Sequence, residues 1–240
     1  MSKPVQLKTL LGRLLAALLL VLLVWQLPSL YRSAQGNIQY YVANDALEKW
    51  QKGQLPSETD YQDALQAARQ ALDSSSASAH YMLTLAKVLE WGMHLGFEKT
   101  SAEPLNPLYR QAIALRPDWP NAYADYGFVL AFFDNNLSEA MLQLKQAEHY
   151  GPHMPEVLRQ QLVVGLAYWD SFSGADKAWV LKITGRAAEA HWPVFASMRK
   201  LVKEYQREAI VCAYLFNRKP PLAEDRLKHL ARLCARPVAS

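Results

Sequence analysis

An all-α fold is predicted from the sequence: an α-solenoid of stacked helical hairpins, entered through an N-terminal membrane-anchor helix and closed by a helical C-terminal cap. Three observations carry that expectation. An apolar run near the N-terminus is preceded by basic residues, a helical segment recurs three times at near-constant spacing, and the remaining segments keep helix-period apolar patterning punctuated by proline. With 51% apolar and 20% charged residues, 10 Gly and 13 Pro, the chain is neither disordered, collagen-like nor a polytopic membrane protein. Because stacked repeats need no single deep core, the 240 residues are read as one extended body.

Residues 1–35 form the anchor region. Lys3, Lys8 and Arg13 precede a stretch from Leu14 to Trp25 with no polar side chain, and the apolar run extends through Leu30. Those 17 residues sit at the lower edge of the roughly 17–25 that cross a bilayer as a helix. A cleaved secretory signal is the competing reading, but Tyr31-Arg32-Ser33-Ala34 puts large groups where cleavage needs small ones. The expectation is an uncleaved, single-pass anchor in the inner membrane. Basic residues ahead of the run keep the N-terminus in the cytoplasm and put the body outside, in the periplasm of a Gram-negative cell.

Residues 36–165 are read as the repeats. Ala64-Leu65-Gln66-Ala67-Ala68-Arg69-Gln70-Ala71 superposes on Tyr109-Arg110-Gln111-Ala112-Ile113-Ala114-Leu115-Arg116-Pro117 and on Ala140-Met141-Leu142-Gln143-Leu144-Lys145-Gln146-Ala147. The aligned Ala71, Ala112 and Ala147 are 41 and 35 residues apart. Arg116-Pro117-Asp118-Trp119-Pro120-Asn121-Ala122-Tyr123-Ala124-Asp125-Tyr126-Gly127 resembles a tetratricopeptide repeat, whose period is roughly 34 residues. The longer first spacing is absorbed by an irregular loop from Gly96 to Pro107. Within this unit Pro117 ends a helix, Tyr123 and Tyr126 fill the hairpin core, and Gly127 admits the partner helix where a Cβ would intrude. A helix from about Ile38 to Lys52, stopped by Gly53 and Pro56, completes the first hairpin, with Ser57 as N-cap and Asp60 behind it. The pattern fades after Pro152, where Leu162 falls at the small position. Residues 166–240 are then a basic helical region, with helices at about 175–190, 194–216 and 221–235 capping the array.

Charge divides the chain. Residues 36–176 hold 9 basic and 17 acidic side chains, and residues 177–240 hold 13 and 5, so the two segments attract. Arg199, Lys203 and Arg207 recur every four residues and are expected on one helical face, followed by Arg226, Lys228, Arg232 and Arg236. Such a face either docks on the acidic repeats, stays solvated, or meets anionic lipid or an acidic polysaccharide. Nucleic acid is not an expected partner. Cys212 and Cys234 lack zinc or redox spacing and read as small buried apolar residues, a bridge between them being the alternative that an oxidising compartment would sustain.

No phosphate loop, nucleophile elbow, zinc-protease helix or nucleic-acid motif occurs in the sequence, so neither enzyme chemistry nor a cofactor is expected. His149 and His153 have ligand spacing, but Gly151 and Pro152 break the helix that would align them, and no metal site follows. Asp170 and Asp176 flank a Ser-Phe-Ser-Gly turn and read as helix caps. A partner-binding groove is the stronger candidate, lined by the first helix of each hairpin: His80, Lys87, Glu90 and Trp91 in one repeat, Asn121, Phe128 and Phe132 in the next, then Arg159. Its aromatic bodies and few charges suit a peptide or a sugar face, although the same rings could serve only to pack helices.

The anchor, two clear repeats and a basic helical tail, with Leu89-Glu90-Trp91-Gly92-Met93-His94-Leu95-Gly96-Phe97 and Asp118-Trp119-Pro120-Asn121-Ala122-Tyr123, resemble the VpsP-type accessory proteins of bacterial exopolysaccharide biosynthesis. That resemblance implies a scaffold in making or exporting a surface polysaccharide, beside membrane glycosyltransferases or export machinery. An envelope assembly factor of the pilus or cytochrome-maturation type, and a glycan-modifying enzyme using residues 165–240, are the alternatives.

Overall fold

The computed structural model describes residues 3–234, with side chains from Gly12 onward; the side chains of Lys3 and Lys8, and Arg236, lie outside that range. All regular structure among the described residues is helical: α1 (Lys3–Gln51), α2 (Glu58–Ser74), α3 (Ala79–Leu95), α4 (Asn106–Leu115), α5 (Pro120–Phe132), α6 (Leu137–Tyr150), α7 (Pro155–Ala167), α8 (Gly174–Glu189), α9 (Trp192–Glu204), α10 (Glu208–Asn217) and α11 (Glu224–Cys234). The chain divides into two compact units, one ending at Lys99 and the other beginning at Thr100.

In the first unit, α1 does not stop after the apolar run. It continues through Ile38 to Gln51, so the expected separate helix over Ile38–Lys52 is the C-terminal part of one 49-residue helix. From Leu14 to Leu30 its large apolar side chains are exposed, and it is long and apolar enough to cross a membrane. Further along, Ala43, Leu47 and Trp50 are buried against α2 and α3. Ser57 caps α2 as expected: its Oγ accepts from the Asp60 N–H at 3.2 Å, and the Asp60 carboxylate accepts from the Ser57 N–H at 3.0 Å. The unit closes on Tyr61, fully buried, whose ring stacks on Phe97 at 5.3 Å and lies against Trp50 at 6.4 Å. Burial raises the Tyr61 pKa, and the hydrogen bond from its hydroxyl to Glu98 at 3.0 Å adds to the shift. Gly96, at φ 81°, takes the left-handed conformation that ends α3.

In the second unit, prolines open four of the helices. Pro107, Pro120, Pro155 and Pro193 each occupy the first turn of α4, α5, α7 and α9, where the missing N–H costs no intrahelical bond. α5 and α6 make the hairpin read from the sequence. A Cβ on Gly127 would lie 2.7 Å from Leu144 Cγ and 3.1 Å from the Ala140 carbonyl, so only glycine admits this approach. Tyr126 stacks on Tyr109 at 5.5 Å, and Tyr123 stacks on Tyr150 at 5.6 Å while donating to the Pro117 carbonyl at 2.8 Å. The hairpin pattern does not end at Pro152: α7 and α8 pair as well, with their close approach at Gly165, where a Cβ would meet Val180 at 2.8 Å. The small residue has moved one turn beyond Leu162, which is itself buried.

Two expectations fail here. Residues 194–216 form two helices, because Gln206 adopts φ 57° and turns the chain between α9 and α10. Arg207 therefore lies beyond the end of the helix that carries Arg199 and Lys203, and the three do not share one helical face. Cys212 and Cys234 are joined in a disulfide between α10 and α11, with Cα atoms 5.9 Å apart, rather than being two separate thiols. A loop of that length gains about 3 kcal/mol from restricting the unfolded chain.

Gly127→Leu is expected to destabilise the detergent-solubilised protein by about 1–3 kcal/mol through overpacking at the α5–α6 contact, read as a lowered midpoint in thermal denaturation. An unchanged midpoint would contradict the helix register described.

Candidate functional site

The groove residues expected from sequence fall in both units. In the first, Lys87 pairs with the buried Glu90 at 3.1 Å, and Trp91 lies edge-on to Trp50 at 5.9 Å. His80 is exposed, its ring 6.5 Å from that of Tyr40. Trp91 is thus braced by the α1 aromatic side of the unit.

The second unit brings its residues into a continuous strip. α5 and α7 lie side by side, and the buried Gln160 of α7 donates to Asp125 of α5 at 2.9 Å. On α5, Phe128 and Phe132 are 4.7 Å apart, one helical turn from each other, and Phe132 is 36% exposed. The Phe132 ring meets Tyr168, just past the end of α7, edge-on at 5.3 Å. The Tyr168 hydroxyl donates to the carbonyl of buried Ala131 at 2.7 Å, which pins the end of α7 to α5. Tyr205, at the end of α9, lies close enough to Tyr168 and Arg159 for their charges to act on it. Burial raises its pKa, the neighbouring Glu204 and Tyr168 add to the rise, and the positive charge of Arg159 opposes it. Arg159 is exposed and makes no ion pair among the described residues. Asn121, also on α5, is half-buried, with its side-chain oxygen buried and without a hydrogen-bond partner among those residues. The result is a row of three rings, Phe128, Phe132 and Tyr168, with Tyr205 and the exposed Arg159 nearby.

Tyr168 and Tyr205 were not visible as site residues. Each joins the strip only because a helix ends beside it, at the C-cap of α7 and at the Gln206 turn, and that turn contains neither glycine nor proline to announce it.

The expected basic surface is distributed differently. Arg207 donates through its guanidinium to Asp170 at 2.7 Å and through Nε to the Leu166 carbonyl at 3.3 Å, so it ties the α9–α10 turn to the end of α7. Arg199 is half-buried with its guanidinium 5.7 Å from the Phe195 ring, and Lys203 alone of the three projects as an exposed cation. Arg226 lies over Phe195 at 4.7 Å and donates to the Ala190 carbonyl at 3.0 Å. Of the two acids flanking the Ser-Phe-Ser-Gly turn, Asp176 serves the cap of α8: its N–H donates to the Ser173 hydroxyl at 3.2 Å. That hydroxyl and Lys145 hold the Asp176 carboxyl below the usual carboxylate range. Asp170 instead receives Arg207.

The described residues form an all-α, tetratricopeptide-like array of helical hairpins. The fold is shared with the solved structure of PilW, a widely conserved type IV pilus biogenesis factor, at a TM-score of 0.50 and 19% identity, covering 82% of this chain and 85% of that one. It is likewise shared with TTC0263, a thermophilic tetratricopeptide-repeat protein of Thermus thermophilus, at 0.51 and 15% identity, covering 81% of this chain and 98% of that one. No protein-family model matches the chain, and no curated protein matches it.

Tyr168→Phe keeps the ring against Phe132 but leaves the buried Ala131 carbonyl without its donor. It is expected to cost about 1 kcal/mol, measured as a shift in the denaturation midpoint, whereas an unchanged midpoint would mean the bond does not hold the strip.

Proposed function

We propose that this chain is a membrane-anchored adaptor that holds a segment of a partner protein on the α5–α7 strip, outside the cytoplasm, as part of a cell-envelope assembly. The observation that carries the proposal is the row Phe128, Phe132 and Tyr168, with Tyr205 and the exposed Arg159, which makes no ion pair among the described residues, close by. Aromatic residues and arginine dominate the binding energy of protein interfaces, because rings bury much area at small entropic cost and a guanidinium fixes a carboxylate by two bonds. The matching partner segment carries an apolar or aromatic side chain with a carboxylate nearby. This is a binding function rather than a catalytic one.

Location is argued from two features. α1 offers an exposed apolar span preceded by basic residues, which retains the N-terminus inside. The Cys212–Cys234 bridge suits an oxidising compartment such as the periplasm. Two assemblies fit. The resemblance to VpsP-type accessory proteins favours the machinery that makes or exports a surface polysaccharide, and the fold shared with PilW favours a pilus-type assembly. In both, the adaptor would act through the same strip.

Two measurements test this. A photo-crosslinking residue in place of Phe128 in the full-length protein, in its native membranes, is expected to capture one partner polypeptide. Arg159→Glu or Phe132→Asp should remove that adduct without changing the melting midpoint. Adducts indifferent to both substitutions would reject the strip as the binding site. A phosphatase reporter joined after Ser240 is expected to be active, whereas activity only of a cytoplasmic reporter at that point would place the body on the wrong side.

A further inference from the structure

α10 does not behave as a core helix. Between Glu208 and Asn217 at its ends it is apolar around the whole circumference, a composition found in helices that are buried or that lie in a membrane interface. Burial accounts for one side only: Val211, Cys212 and Leu215 face the unit. The opposite side carries Ala209, Ile210, Ala213 and Phe216, all exposed, Ile210 at 39% and Phe216 at 46%. Half-buried Tyr214 extends this face across a shallow cleft to Ala178 and Leu181 of α8. The described residues leave this apolar surface uncovered.

The charges around it favour one occupant. Lys182 lines the same cleft, and Lys219 follows the helix directly; both are exposed and neither makes an ion pair among the described residues. Of the acids in the neighbouring sequence, Glu189 receives Arg218 at 2.7 Å, Asp225 lies 3.6 Å from Arg226 and Glu208 is half-buried in the first turn of α10, while Glu204 and Glu224 are exposed. An apolar face with a lysine margin matches an interface of acyl chains beneath anionic headgroups. A second copy fits less well, since a two-fold contact through this face would bring the same lysines together.

We infer that α10 is an interfacial helix whose outer face rests on anionic lipid of the membrane in which α1 is anchored. The inference rests on the anchor reading, because tethering keeps the body at high effective concentration near one bilayer and a small apolar patch then suffices.

The test uses the full-length oxidised protein reconstituted into vesicles of phosphatidylcholine alone, or of phosphatidylcholine with phosphatidylglycerol. Bimane is attached at Ala213→Cys or, separately, at Phe216→Cys, with headgroup spin-labelled lipid as quencher and a probe at Leu142→Cys on α6 for comparison. Flotation after a carbonate wash reports the anchor independently of the probe. The expected result is flotation with both lipids, and quenching of the α10 probes several-fold stronger with phosphatidylglycerol at low salt. High salt, or Lys182→Glu with Lys219→Glu, should weaken that quenching. A protein that floats with unquenched α10 probes, or with quenching equal at Leu142→Cys, overturns the inference and leaves the anchor intact. Emission that tracks protein density in the vesicle instead of lipid charge would assign the face to a second copy. A protein that does not float overturns both readings.

Discussion

At the α5–α6 and α7–α8 contacts one helix carries no side chain, and the placement of the aromatic strip follows from that constraint. At Gly127 the α5 backbone sits against Leu144 and the Ala140 carbonyl of α6, closer than any Cβ would allow. A helix advances about 100° per residue, so Phe128 and its neighbour one turn on, Phe132, are carried to the side of that contact. The strip is therefore set by a backbone contact on another face of the same helix. Gly165 repeats the device between α7 and α8 and seats the helix that presents Arg159. In repeat architectures each hairpin buries its apolar face only against its neighbours, which is why such contacts carry so much of the geometry.

Much of this was legible because the signals were local. Pro117 marks the end of a helix, Ser57 and Asp60 form a capping box, and Tyr123, Tyr126 and Gly127 keep the spacing of a repeat. What was not legible depended on the path between helices. The turn at Gln206 puts a side-chain-bearing residue in the left-handed region with no glycine to signal it, so α9 and α10 read as one helix and Arg207 was assigned to the wrong face. The disulfide spans 22 residues and becomes recognisable only once α10 and α11 are seen to fold back on each other. Phe128, Phe132 and Arg159 could be named from repeat register, whereas Tyr168 and Tyr205 enter through helix ends that register does not specify.

The division of charge has a structural outcome within the second unit. Arg186 pairs with Glu148, which also accepts from the Trp179 ring nitrogen, and Arg207 pairs with Asp170, so cations of the basic segment are joined to acids of the repeat segment. Others are held over rings, Arg199 at Phe195 and Arg226 between Phe195 and Trp192. Arginines are used for these partly buried contacts, as expected for a planar and weakly hydrated cation. The cations that remain exposed are mostly lysines: Lys182, Lys200, Lys203, Lys219 and Lys228. Within residues 177–240, most arginines are engaged in packing and most exposed cations are lysines, Arg232 being an exposed arginine.

The anchor and the bridge constrain function together more tightly than either does alone. A long apolar helix near an N-terminus also describes a secretory signal, and a single disulfide could be incidental in a small domain. Here α1 continues into the packed first unit, where Leu47 and Trp50 are buried, so the apolar segment and the folded body share one uninterrupted helix. On the anchor reading proposed above, a helix shared in this way would hold the first unit within reach of the bilayer, and the bridge would suit the oxidising side of it. Aromatic rings beside an exposed guanidinium are residue types that dominate protein interfaces, and the adaptor role proposed above rests on that chemistry rather than on a deep pocket for a small molecule.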